Sequence, residues 1–276
     1  MNPIAPSELV LTDDGSIYHL SLRPEQIAHT VFLVGDPGRV PRVSKYFDRV
    51  DFKVQHREFV THTGELNGRR LSVVSTGIGT DNIDIVVNEL DALVNIDFIR
   101  LGTSGSLSKD IGVDEIIISA WGIGLDNLLS YYAWHPSEAE ERMRQQFTAF
   151  AQKLGMALQP YAVCGSEDLL KKLSEGLPSG ITLTCPGFYG PQGRNLRLQS
   201  IYNPSFFEKV SGFSSEGFSV TNFEMETSAI FGLAKMLGHQ ALSCNAVLAN
   251  RVANEFSPDP AAAVEKLIQH ILQKMA

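Results

Sequence analysis

Val31-Phe32-Leu33-Val34 runs directly into Gly35-Asp36-Pro37-Gly38-Arg39, and Phe98-Ile99-Arg100-Leu101 runs into Gly102-Thr103-Ser104-Gly105. An uninterrupted apolar run suits a strand buried on both faces, as in a sheet covered by helices on each side. Comparable runs recur at Leu71–Ser75, Glu115–Ser119, Tyr161–Cys164, Ile181–Thr184, Phe218–Thr221 and Ala241–Ala249. Helical patterns alternate with them. After Thr80-Asp81, residues Ile83, Val86, Val87, Leu90 and Val94 fall at helical spacing, with Asp81 a candidate N-cap. Ser137–Leu154 has glutamates early and Lys153 late, as the helix dipole favours. Glu224–Leu237 ends at Gly238, a C-capping residue type, and Pro260–Met275 reads as a last helix. Strands alternating with helices predict an α/β fold with a largely parallel or mixed sheet. Gly122–Asn127, Pro186–Gly193 and Ser211–Gly217 read as loops, and the 276 residues carry no repeat or long linker, so residues 1–276 read as one domain.

The same two stretches carry chemistry. Glycine lets a backbone approach a ligand closely, and arginine presents a fork of donors that stays charged. Two strand-end turns, each with an arginine and with His56-Arg57-Glu58-Phe59 between them, suggest a site for a small multivalent anion, phosphate above all. Gly35–Arg39 lacks the Gly-Lys-Ser/Thr ending of a P-loop. An ordinary strand-to-helix turn with a solvated Arg39 accounts for it equally well. Arg100 is more informative, because a charge inside an apolar run needs a partner. That partner is either an aspartate of the core or a ligand anion.

The other motifs are weaker singly. Ser75-Thr76-Gly77-Ile78-Gly79 lacks the third glycine of a dinucleotide fingerprint, since Asn82 stands there; a tight turn packing helix on sheet is the simpler reading for Ile78. Gly102–Ser106 is not a nucleophile elbow. Asn222-Phe223-Glu224-Met225-Glu226 follows a strand and opens a helix, where glutamates either complement the dipole or hold vicinal hydroxyls of a sugar. Phe188-Tyr189-Gly190-Pro191-Gln192-Gly193-Arg194 combines an aromatic face with amide and guanidinium donors, the set a planar base with two carbonyl oxygens requires. The seven histidines and three cysteines show no metal-ligand spacing, so no metal and no cofactor is expected.

Hydrophobic residues make up 43% and charged residues 20%, with a formal net charge of −8. That balance disfavours nucleic acid or an anionic membrane as partner. Cys164, Cys185 and Cys244 are too few for a disulfide framework. The start, Met1–Glu8, has no basic region followed by an apolar one, and no stretch approaches the ~18 apolar residues of a membrane span. A cytoplasmic location is the expectation.

Together and in this order, the segments from about Tyr18 to Arg251 resemble the nucleoside phosphorylase family, in its uridine phosphorylase branch. The resemblance implies a three-layer α/β sandwich with a central mixed, partly barrel-like sheet flanked by helices. It implies a phosphate site of Gly35, Arg39, Arg100 and Thr103. Arg57 would reach the phosphate site of a neighbouring subunit, and His19 would cross the same interface to the ribose. Glu224, Met225 and Glu226 match the ribose-binding segment, with Glu226 on the 2′,3′-diol. Gln192 and Arg194 match the pair that reads uracil, Phe188 its stacking aromatic, and Leu248 and Arg251 residues of the base pocket. The implied reaction is phosphate-dependent cleavage of uridine by a homo-oligomer, dimer or hexamer, with Arg100, Glu226, Gln192 and Arg194 central and inorganic phosphate as co-substrate.

Purine relatives carry an acid in the segment that reads Ala249-Asn250-Arg251-Val252-Ala253-Asn254 here. A purine phosphorylase or nucleosidase of the same superfamily is the alternative, and a non-catalytic nucleoside-binding protein a remote one. The chain departs from the pattern in three places. Gly190-Pro191 inverts a Pro-Gly order, Ala249 replaces a valine, and Asn82 replaces the serine that joins residues matching Glu58 and Ile78 around a monovalent cation, which speaks against that ion. The Trp121–Trp134 segment has no counterpart in the resemblance.

Overall fold

The computed structural model describes residues 5, 7–202 and 205–275. Met1–Ile4 and Pro6 of the start read above for a leader, together with residues 203, 204 and 276, lie outside the described residues. The strands are β1 (Thr30–Val34), β2 (Arg49–His56), β3 (Phe59–Leu66), β4 (Arg69–Ser75), β5 (Asp97–Ser106), β6 (Ile116–Gly124), β7 (Tyr161–Cys164), β8 (Ser179–Thr184), β9 (Ser214–Ser215), β10 (Phe218–Glu224), β11 (Gln240–Asn250) and β12 (Glu255–Phe256). The helices are α1 (Arg39–Ser44), α2 (Thr80–Asp91), α3 (Glu138–Lys153), α4 (Glu167–Leu173), α5 (Phe206–Lys209), α6 (Thr227–Leu237) and α7 (Pro260–Met275). No helix among the described residues is long and apolar enough to cross a membrane.

The continuous apolar runs are explained by helices on both faces of the sheet. Val31 and Leu33 of β1 pack with α2 and α6 on one side. Phe32 and Val34 pack with α1, α4 and α7 on the other. A third cluster joins α3 and α5 to β8 and β10 through Met143, Phe147, Phe206, Phe207, Ile181 and Phe223.

The sheet is mixed and runs β12-β11-β6-β8-β10-β5-β1-β4-β3-β2. β11 also pairs with β5, so β11, β6, β8, β10 and β5 form a ring while β1–β4 extend from it. The sheet as a whole is therefore ringed in part and is not a barrel. One polar residue from each of four ring strands joins a common network. Ser119 bonds Thr182 at 2.6 Å, Thr182 donates to Asn222 at 2.8 Å, and Asn245 donates to Ser119 at 3.3 Å.

Several elements extend beyond their sequence signals. Gly102–Gly105, read as a turn, continues β5 to Ser106 because β11 pairs with it in parallel register, Asn245 opposite Gly102. Gly122–Gly124, read as loop, belongs to β6 and pairs with both β7 and β8. Asn222–Glu224 is the end of β10, and α6 begins only at Thr227. Helix α2 starts behind Gly79 at φ 99°, a conformation glycine adopts without strain; Asp81 sits in its first turn and is not the cap, and Val94 lies past its end. The hairpin of β2 and β3 went unread because its outer strand alternates exposed and half-buried residues instead of forming an apolar run. The α3, α7 and β7 boundaries, and Gly238 as left-handed cap of α6, are as read.

Helix α3 opens on a reciprocal capping box. Ser137 Oγ accepts from the Glu140 amide, and Glu140 Oε2 accepts from the Ser137 amide at 2.8 Å. Removing such a cap costs roughly 1 kcal/mol. Ser137→Ala is expected to lower the melting temperature by about 2–4 °C, read by thermal denaturation, with the fold unchanged by circular dichroism.

Candidate active site

Strand β1 ends at Val34, β4 at Ser75, β10 at Glu224 and β11 at Asn250, and residues at or just past these ends meet around one cavity. Ligands of α/β sheets bind outside such carboxyl ends. A cavity of about 810 Å³ opens there, lined by Gly35, Asp36, Arg39, Glu58, Ile78, Asn82, Arg100, Thr103, Ser104, Phe188, Gln192, Arg194, Phe223, Glu224, Met225, Glu226, Leu248, Ala249 and Phe256, among others.

Arg100 sits on the buried face of β5, only 5% exposed. Its partners are glutamates and an amide. Nη2 donates to Glu226 Oε2 and lies 3.2 Å from Glu224 Oε2. Nη1 donates to Asn245 Oδ1 at 2.6 Å. Burial works against the cation, but Glu224 and Glu226 outweigh it and hold its pKa above the usual value. Two residues on, a Cβ at Gly102 would come within 1.8 Å of Arg100 Nη1 and 2.6 Å of Asn245 Oδ1. Gly102 thus provides room for the guanidinium, not for a turn.

The two glutamates have different duties. Glu224 accepts from the Glu226 amide at 2.9 Å, from the Thr227 amide at 3.0 Å and from Thr184 Oγ1 at 2.8 Å. It satisfies the orphan amides at the start of α6. Glu226 Oε1 accepts from the Gly79 amide at 2.8 Å. Burial lifts the Glu226 carboxyl above its usual range; Arg100 opposes that and Glu224 adds to it.

Arg39 reaches across from the turn after β1 and donates to Leu101 O at 2.8 Å. Burial, with the Arg100 charge second, lowers its pKa to about 10. Two guanidinium groups facing one cavity attract an anion, which relieves their mutual repulsion.

At the far end, Gln192 is 2% exposed and accepts from Arg194 Nη1. Arg194 also donates to Phe188 O at 2.6 Å, and its Cζ lies 3.7 Å from the centroid of the Phe188 ring. Burial, then the Arg251 charge, lowers the Arg194 pKa to about 10. Gly193 between them has φ 69°, and a Cβ there would fall 2.6 Å from the Phe207 ring. The inverted Gly190-Pro191 pair forms part of a single helical turn, Gly190–Gln192.

Three sequence-selected residues do not line the cavity. His19 Nδ1 lies 2.5 Å from Glu89 Oε1. Arg57, exposed at the hairpin tip with φ 55°, stands over the Tyr18 ring with Cζ 5.5 Å from its centroid. Arg251 stands behind Phe223, its Cζ 5.9 Å from that ring's centroid. Asn245 and Thr184, which hold Arg100 and Glu224, were not singled out. Their signal was a polar residue inside a buried strand, Asn245 alternating with Ser243 between Leu242 and Val247.

The chain belongs to the phosphorylase superfamily, whose model matches residues 29–275. Among its relatives is the uridine phosphorylase of Thermococcus kodakarensis, 34% identical over 89% of this chain and 81% of that one. The uridine phosphorylase of Haemophilus influenzae is 27% identical, over 87% of this chain and 88% of its own. The solved Trypanosoma brucei nucleoside phosphorylase, described as showing uridine phosphorylase activity, superposes with a TM-score of 0.87 at 29% identity, covering 96% of this chain and 98% of that one.

Removing one partner of a buried ion pair typically costs about 3–5 kcal/mol. Arg100→Met is expected to destabilise the fold to that extent at neutral pH, measured by denaturant unfolding. A carboxyl whose folded pKa is raised gains stability as pH falls, because the folded state then binds the extra proton. The deficit of the variant therefore shrinks at mildly acidic pH.

Proposed function

We propose that this chain is a uridine phosphorylase, acting as one domain over residues 1–276, that cleaves uridine with inorganic phosphate to give uracil and ribose 1-phosphate. One observation carries the reading. A single cavity sets Arg39 and Arg100 beside Glu226 at one end, and Gln192 with Arg194 among aromatic faces at the other. That set of groups suits an anion, a polyhydroxylated ring and a planar base.

The C1′–N1 bond breaks with oxocarbenium character, as in glycoside cleavage generally. The bonding electrons leave with uracil as an anion spread over its carbonyl oxygens. A phosphate oxygen then bonds to C1′ on the opposite face. The protein supplies no nucleophile; it positions two substrates and stabilises charge. Arg39 and Arg100, with Gly35 and Thr103, hold the phosphate. Glu226 accepts from the ribose hydroxyls, with Glu224 and Met225 shaping that segment. Gln192 and Arg194 donate to the departing base over Phe188, with Leu248 lining its pocket and Arg251 behind. His19 and Arg57, outside this cavity, serve the site of a second copy in a cytoplasmic homo-oligomer. Phosphate is a co-substrate, and the reaction uses no cofactor.

The first test is free base released from uridine, thymidine, inosine and adenosine, each with and without phosphate. Uracil released only with phosphate supports the reading. Purine release, or release without phosphate, refutes it. Arg194→Ala is expected to lower kcat/KM for uridine by about 10²–10³, the range for one charge-stabilising donor; near-normal kinetics would sink the assignment. Arg39 and Arg194 are both needed as cations, and both are lowered to about 10. Their contribution is complete at neutral pH and is lost as pH rises through about 10, so kcat/KM should fall there in a pH–rate profile.

A further inference from the structure

The Trp121–Trp134 segment and the hydroxyl of Tyr161 have no part in the reaction just described, yet a chain of buried hydrogen bonds leads from them into the cavity. Tyr161 OH donates to Asp126, at 2.9 Å from Oδ2 and 3.0 Å from Oδ1. It accepts from Ser228 Oγ at 2.9 Å. The Ser228 amide donates to Thr184 Oγ1 at 2.9 Å, and Thr184 Oγ1 donates to Glu224 Oε1 at 2.8 Å. Glu224 meets Arg100, and Arg100 meets Glu226.

Two glycines of β6 make the room for this chain. A Cβ at Gly124 would lie 2.1 Å from Tyr161 Cζ, and one at Gly122 would lie 2.9 Å from Ser228 Cα. Asp126 is itself anchored, Oδ1 accepting from the Leu128 amide at 2.8 Å, while the Leu125 amide donates to Thr184 O at 2.8 Å. Burial holds the Tyr161 phenol well above its usual pKa, so it stays a donor.

We propose that Tyr161, held by Asp126, is a positioning residue that fixes the first turn of α6 through Ser228 and so sets where the Glu224 and Glu226 carboxylates stand. Tyr161 touches no substrate. It acts on the ribose end of the cavity, because Ser228 lies two residues past Glu226 in the same turn. The inference rests on the phosphorylase reading and adds to it a specificity role, discrimination of the 2′-hydroxyl through the placement of Glu226.

The test compares the wild-type chain with Tyr161→Phe, which keeps the ring over Gly124 and removes only the hydroxyl. Steady-state kinetics are run on uridine and on 2′-deoxyuridine at saturating phosphate, with melting temperatures alongside. The expected result is a fall of about tenfold in kcat/KM for uridine, the size of one lost hydrogen bond on a charged network. 2′-Deoxyuridine should lose less, so the ratio of the two moves toward one. Ser228→Ala should move the ratio the same way by a smaller step, and it decides the question if Tyr161→Phe does not fold. Unchanged kinetics, or an equal loss on both nucleosides that tracks a fall in melting temperature, would overturn the inference and leave a purely structural hydroxyl. A wild-type chain that releases no uracil would overturn the functional reading and this inference with it, whereas an active wild type with an unmoved ratio overturns this inference alone.

Discussion

A cation inside a sheet is the constraint around which this site is arranged. Arg100 lies among Phe98, Ile99 and Leu101, all fully buried, where an unpaired charge costs several kcal/mol. Its neutralisation draws on three other elements: Glu224 from the end of β10, Glu226 from the start of α6 and Asn245 from β11. Each is fixed by something else in turn. Glu224 is held by Thr184 and the first amides of α6, Glu226 by the Gly79 amide and Asn245 by Ser119. The ring of five strands brings these groups within reach of one guanidinium, and Gly102 leaves the space it occupies.

Like charges are gathered at both ends of the cavity. Arg39 faces Arg100 at one end, and Arg194 has Arg251 behind it at the other. Each pair raises the cost of its own protonation, and each is relieved by negative charge. In the proposed reaction that charge belongs to phosphate at one end and to the departing base at the other. The ribose, where positive charge develops, falls between them beside Glu226. Such preorganised charge acts without reorganisation at the moment of bond cleavage.

The layers of the fold were legible because strands covered on both faces must be apolar throughout, and helix ends carry local chemistry such as Ser137 and Gly238. The β2–β3 hairpin was not, since Arg49, Asp51, Lys53 and Gln55 face solvent and leave no apolar run. Glycine misled the reading of β5 and β6. Gly102, Gly105, Gly122 and Gly124 signal turns locally, but here they make room for the Arg100 guanidinium and for Phe223, Ser228 and Tyr161, the last three distant in the chain. Among site residues, Arg100 stood out as a charge inside an apolar run, while Glu226, Gln192 and Arg194 were marked by the family resemblance, and all four line the cavity. The commitment of Glu224 to the start of α6 depends on where that helix begins, which propensity does not set to within a few residues. His19 and Arg57 lie elsewhere on the same chain, and a single sequence holds no signal of what faces them.

The central claim is that phosphate held by Arg39 and Arg100 becomes covalently attached to C1′ of the sugar. Phosphorus NMR of the purified chain with uridine and inorganic phosphate reads that bond directly. The account predicts a ribose 1-phosphate resonance that grows in step with uracil and with the loss of inorganic phosphate. Uracil accompanied by free ribose and an unchanged phosphate signal would contradict it.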